Sequence, residues 1–77
     1  MKKNSRHQQK QETIAKIIVA AEYLFGTLGH RGTSIQRVAE EAGISKQALM
    51  HHFPTKQSLR EAVLKKVVNF SADFLGA

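Results

Sequence analysis

Cysteine and tryptophan are absent from this 77-residue chain, and proline occurs once, at Pro54. Without thiols, neither a disulfide framework nor a thiolate zinc site can brace the fold, although both are common supports of small domains. The chain is long enough for one domain at most, and a domain of this size buries only about 60% of the surface its unfolded form exposes. Its core therefore rests on apolar packing alone. A catalytic site needs a cleft with converging titratable groups, for which so few residues leave little room, so the expectation is a protein that is not an enzyme. His7, His30, His51 and His52 include no pair at i, i+4, so no metal site is suggested and no cofactor is expected. Long apolar runs are missing as well. The longest, residues 17–21, is far too short to span a bilayer, and residues 4–13 hold no apolar stretch that would make a signal peptide of Lys2 and Lys3. The default is an unexported, cytoplasmic protein.

Acidic side chains are also scarce. Twelve Lys and Arg face six Asp and Glu, for a net charge of +6 and a pI near 10.1. Such an excess suits a polyanion, either nucleic acid or an anionic membrane surface. It also serves solubility, and its distribution favours that role in part. Lys2, Lys3, Arg6 and Lys10 all precede the first acid, Glu12, leaving eight basic and six acidic side chains for the rest. Residues 1–11 have no aliphatic side chain after Met1 and so lack the apolar surface that offsets chain ordering. They read as a basic flexible arm, and residues 12–77 as the folded domain.

What is present is helical periodicity. Ile14, Ile17, Ile18, Ala21, Leu24, Phe25 and Leu28 recur at spacings of three and four, which marks one helix face turned to a core and ending near Gly29. Gly26 lies inside that pattern and weakens it by about 1 kcal/mol relative to Ala. Thr33-Ser34-Ile35-Gln36 has the form of a capping box, with Thr33 as N-cap and Gln36 reaching back, so a second helix covers residues 34–42. Gly43 closes it in the left-handed conformation. Ser45 caps a third helix, residues 46 to about 53, which Pro54 stops from behind. Thr55 caps a fourth, residues 56 to about 74. No run alternates with period two, so no strand is expected. The fold class is all-α, a helix-turn-helix bundle of four helices.

Only Gly43, Ile44 and Ser45 separate the second helix from the third, a length that forces the two axes to cross steeply. Ala39 is small where the helices approach, Gly43 takes the turn, and Ile44 and Leu49 are apolar where the pair meets the rest of the domain. Ala39, Gly43 and Leu49 thus carry the helix-turn-helix spacing, against which stands the plainer possibility of an ordinary helical hairpin.

The succession Ala21, Leu24-Phe25, Gly29, Thr33-Ser34, Val38-Ala39, Ala42-Gly43-Ile44-Ser45-Lys46, Leu49, His52-Phe53, Lys56, Leu59 resembles the N-terminal domain of the tetracycline-repressor (TetR) family of bacterial transcriptional regulators. The resemblance runs over roughly residues 12–68 and spans three helices and both turns. It implies sequence-specific binding of double-stranded DNA at a palindromic operator, by a homodimer that in full-length form is a repressor released by a small-molecule inducer. Inducer and dimer contacts would belong to a C-terminal domain beyond these residues.

In a helix-turn-helix the N-terminal part of the second helix enters the major groove. Here that part presents Ser45, Lys46, Gln47, Ala48, Met50 and His51. Gln47 suits bidentate pairing with adenine, Lys46 a guanine edge or a phosphate, and Ala48 a thymine methyl. Each has a plainer reading as a solvated helix residue. Most relatives carry one or two tyrosines where Met50-His51 stands, so contacts that need a phenol hydroxyl do not carry over, while His51 retains a donor for phosphate and Met50 an apolar surface. His52 matches the family's backbone-contacting histidine, or else it only caps its helix. Phosphate contacts position such a module. The second helix would receive a phosphate on its free amides with the hydroxyls of Thr33 and Ser34, and the fourth helix offers Thr55 and Lys56. Arg31, Arg37 and the basic arm add charge whose facing the sequence leaves open.

The fourth helix carries one apolar stripe of Leu59, Val63, Val67, Phe70 and Phe74 and a second of Leu64, Val68 and Leu75. A second stripe points to a neighbour that covers it. It also keeps alternatives alive, a helical protein-interaction module or a membrane-surface module. The membrane reading leaves the turn at Gly43 unexplained, and beyond Lys65 and Lys66 the helix has only Asp73 as a charge.

Overall fold

A computed structural model describes the backbone of residues 6–76 and the side chains of residues 8–66. Its four helices are α1 (Arg6–Leu28), α2 (Ile35–Ala42), α3 (Lys46–His52) and α4 (Lys56–Gly76). Among the described residues there is no strand, and the all-α expectation holds. No helix of the described residues is long and apolar enough to cross a membrane.

One expected boundary moves. Residues 6–11, read as the end of a flexible arm, form the first turns of α1. Gln8, Gln9, Lys10 and Gln11 are good helix formers with no breaker between them and Ile14, so a helix nucleated by the buried face extends through them while their side chains stay solvated. The remainder of the expected arm, residues 1–5, lies outside the described residues.

The core is narrower than the apolar pattern. Ile17, Ala20, Ala21 and Leu24 of α1 pack with Val38 and Ala39 of α2, Leu49 of α3 and Leu59 and Val63 of α4. Ile18, Phe25, Ile35, Ala42, Ile44 and Phe53 close its edges. Each fully buried Ile or Leu contributes about 1.5–3 kcal/mol by leaving water. Leu28, expected on this face, is exposed at the last position of α1, and Ala20 takes part instead. The alanines matter through their size, since Ala20, Ala21 and Ala39 keep no bulk where helices pack. Leu64, on the second stripe of α4, is about half exposed, at 48%. Val67, Val68, Phe70, Phe74 and Leu75 fall among side chains that are not described.

The turns are locked by backbone geometry. At the end of α2, Gly43 has φ 77°; its N–H donates to Glu40 O at 3.1 Å while that of Ile44 donates to Ala39 O at 3.0 Å. This pair of bonds is the Schellman closure, and Ile44, the residue after the glycine, packs against the core that contains Ala39. In the loop from α1 to α2, Gly32 packs so tightly that a Cβ there would collide with the carbonyl of Leu28.

Candidate nucleic-acid interface

The interface is built on α3. Ser45 caps it, its Oγ accepting from the backbone N–H of Ala48 at 3.0 Å. Leu49 is the one side chain of the helix that is fully buried, so it fixes the rotation of α3 about its axis. Ser45, Lys46, Gln47, Ala48, Met50 and His51 are all exposed, as the sequence anticipates. The presented surface is a mixture of one cation, one amide, two small side chains, a thioether and an imidazole. Donors, acceptors and apolar groups of this kind are what base edges in a major groove discriminate.

His52 differs from His51. Its ring is half-buried and meets that of His51 edge-on, with centroids 5.4 Å apart. Burial first, then the neighbouring His51 and Lys10, hold its pKa below the ordinary histidine value. Lys10, exposed in the first turns of α1, is the basic side chain of that helix whose charge acts on His52.

Two candidate phosphate ligands prove to be engaged elsewhere. Thr33 is buried, 1% exposed, and its hydroxyl donates to Gly29 O at 2.8 Å and Leu24 O at 3.2 Å. Its hydroxyl therefore donates to carbonyls in and just after the last turn of α1, and the capping role passes to Ser34, whose Oγ accepts from Arg37 N at 3.1 Å. Gln36 then has nothing to reach back to, and its amide donates to Glu40 Oε2 at 3.1 Å. Lys56 is half-buried; its ammonium donates to His30 O at 2.8 Å and Thr33 O at 2.9 Å, so it points into the loop between α1 and α2. Both side chains are thus engaged within the fold, Thr33 at the end of α1 and Lys56 on the loop that follows it. Thr55 does cap α4, in a reciprocal pair where Ser58 N donates to Thr55 Oγ1 and Thr55 N to Ser58 Oγ, at 3.0 and 3.2 Å. Ser34, Arg31 and Arg37 are exposed.

His30, which the sequence singles out only as a poor metal ligand, stands beside this loop. Its ring lies against Phe25 with centroids 5.3 Å apart, and its Nε2 is buried without a hydrogen-bond partner. Burial, then the charges of Lys56 and Arg60, hold its pKa below the ordinary value. Nothing in the spacing of the sequence signals this environment, because it arises from α4 folding back onto the turn after Gly29. Among the described residues no group of histidines and acids could hold a metal ion.

Comparisons with known proteins agree with this geometry. The family model described as bacterial regulatory proteins, tetR family, matches residues 17–63, from the core of α1 to the second turn of α4. The chain is 40% identical over 53 residues to the HTH-type transcriptional regulator RutR of Escherichia coli, covering 69% of this chain and 25% of that protein. It is 40% identical over 57 residues to the HTH-type transcriptional regulator TtgR of Pseudomonas putida, covering 74% and 27%. The HTH-type transcriptional regulator CymR, also of Pseudomonas putida, is 38% identical over 58 residues, 75% of this chain and 29% of that protein. The chain spans about a quarter of the length of these relatives, and no solved structure shows a significant match. With helix-turn-helix geometry and family model in register from Ile17 to Val63, the chain belongs to the tetR family of bacterial regulatory proteins and carries its DNA-binding domain.

Proposed function

We propose that this domain binds double-stranded DNA sequence-specifically, with α3 lying in the major groove as the reading helix. The observation that carries the reading is the exposure of every residue from Ser45 to His51 except Leu49, which anchors the helix from behind. Gln47 pairs with an adenine edge, Lys46 reaches a guanine edge or a phosphate, and Ala48 and Met50 supply apolar contact to thymine methyls. Ser45, His51, His52 and the capped N-terminus of α2 at Ser34 hold the sugar-phosphate backbone and fix the register. Lys10, exposed in the first turns of α1, adds positive charge to this grip.

A lone module of this size buries roughly 600–1,000 Å² on DNA, so useful affinity comes from two copies on a palindrome. The full-length protein is accordingly a homodimer, and a repressor released by a small molecule bound in its remaining domain. The relatives' names as transcriptional regulators support the regulatory role.

An amide-resolved NMR titration with a random duplex tests the interface without knowledge of the operator. At low salt, shifts should concentrate at residue 34, residues 45–52 and the first turns of α1, and should shrink steeply at about 0.3 M salt as phosphate-driven binding fades. Shifts that gather instead near Val19, Tyr23 and Leu64 and persist in salt would replace the DNA reading with protein interaction.

A further inference from the structure

We infer that Lys56 is a positioning residue for DNA binding, which sets the N-terminus of α2 relative to that of α4 and is not itself a phosphate ligand. The inference rests on the DNA-binding reading above. Lys56 opens α4, and its ammonium crosses to the preceding loop, where it donates to His30 O at 2.8 Å and Thr33 O at 2.9 Å. These are charge-assisted bonds of good length, and they engage two of the three ammonium donors. His30 O also accepts from Thr33 N at 3.3 Å, so the lysine sits on a turn that is already folded on itself. The residue after Thr33 is Ser34, the N-cap of α2. Any shift of the Lys56 ammonium is therefore passed within one residue to the amides at the start of α2.

Helix packing alone does not fix this relationship. The broad contacts in the fold are α1 with α2, α1 with α4 and α2 with α3, so α2 and α4 are held to one another chiefly through α1. The Lys56 bridge is a direct tie between their starting ends, spanning 23 and 26 residues of chain. A lysine turned outward to phosphate would leave both carbonyls without this donor.

Lys56→Met keeps the aliphatic stem and removes the ammonium. In the free variant, exchange at the Thr33 and Arg37 amides should accelerate about tenfold or more, while the Ala48 and Phe53 amides keep their rates. Under conditions where the variant is fully folded, its affinity for a random 20-base-pair duplex should fall about three- to tenfold. The slope of log affinity against log salt should stay unchanged, since no phosphate contact is lost. A slope smaller by about one would make Lys56 a phosphate ligand, and unchanged affinity with faster exchange would reduce it to a structural bridge; either overturns the inference. Should Lys56→Met not fold, the Lys56 ammonium resonance of the ¹⁵N-labelled natural chain decides. It should persist as a slowly exchanging signal at the same shift on adding duplex, and a large duplex-induced shift would overturn the inference. A natural chain that binds no duplex at low salt overturns both readings, whereas one that binds while the variant shows the wrong slope overturns this one alone.

Discussion

Thr33 donates its hydroxyl to the carbonyl of Leu24, nine residues earlier, at 3.2 Å, and shares it with Gly29 at 2.8 Å. That arrangement makes Thr33 a brace between the end of α1 and the start of α2. Thr33→Val retains the shape of the side chain and leaves the carbonyls unsatisfied. The expected loss is about 1–2 kcal/mol of stability, read as a lower urea midpoint with an unchanged m-value. Affinity for DNA under folded conditions should stay within twofold. A variant of normal stability that binds DNA several-fold more weakly would return Thr33 to the interface.

Three glycines should respond to alanine in three different ways, because each owes its place to a different cause. At Gly26, inside α1, a Cβ meets nothing within 4 Å, so alanine should raise stability by about 1 kcal/mol through helix propensity. At Gly43 the space is equally open but φ is 77°, so alanine should cost about 1–2 kcal/mol from conformation alone. At Gly32 the added Cβ runs into the Leu28 carbonyl, and the backbone must shift. The order of melting temperatures should be Gly26→Ala above the natural chain, then Gly43→Ala, then Gly32→Ala. A Gly43→Ala variant as stable as the natural chain would contradict the left-handed closure of α2.

The contrast between these residues shows what is legible without the structure. Gly43, Ser45, Pro54 and Thr55 act through local rules of capping and turning, and the elements they delimit fall where the sequence places them. The exposure of Lys46, Gln47 and Ala48 follows from those limits together with the single apolar anchor at Leu49. Thr33 and Lys56 escape a local reading because their partners, Leu24 and His30, lie 9 and 26 residues away, and no local pattern encodes a contact closed by the packing of α1 and α4. Residues 6–11 lack apolar surface of their own, whereas their helical state follows from attachment to a helix already anchored at Ile17.

The two half-buried histidines predict how stability follows pH. In both His30 and His52 the folded state disfavours the charged form, so below the ordinary histidine pKa the unfolded chain binds more protons than the folded one. Stability is then fully present at pH above about 7 and declines as the pH falls through about 6.5 toward the lowered folded values. His30→Gln should reduce that decline between about pH 7.5 and 5.5, and the double replacement with His52→Gln should reduce it further. Thermal melts in one buffer series check this. A decline that neither replacement alters would place the proton uptake elsewhere.

Gln47 offers the sharpest test of recognition, since it is exposed on the face of α3 opposite the Leu49 anchor and has no role in the core. If its amide pairs with an adenine edge, Gln47→Ala removes two hydrogen bonds that only one base pair can satisfy. The expected loss on a selected binding sequence is about 1–3 kcal/mol, confined to a single base-pair position. On random duplex the same variant should bind as the natural chain does, with the same salt slope, because no phosphate contact has gone. Selection of preferred sequences from a randomised pool, run in parallel on the natural chain and the variant, reads this as relaxed preference at one position in each half-site. Equal weakening on selected and random DNA would mean that Gln47 touches the backbone, and would shift the reading of sequence to Lys46 and Ala48.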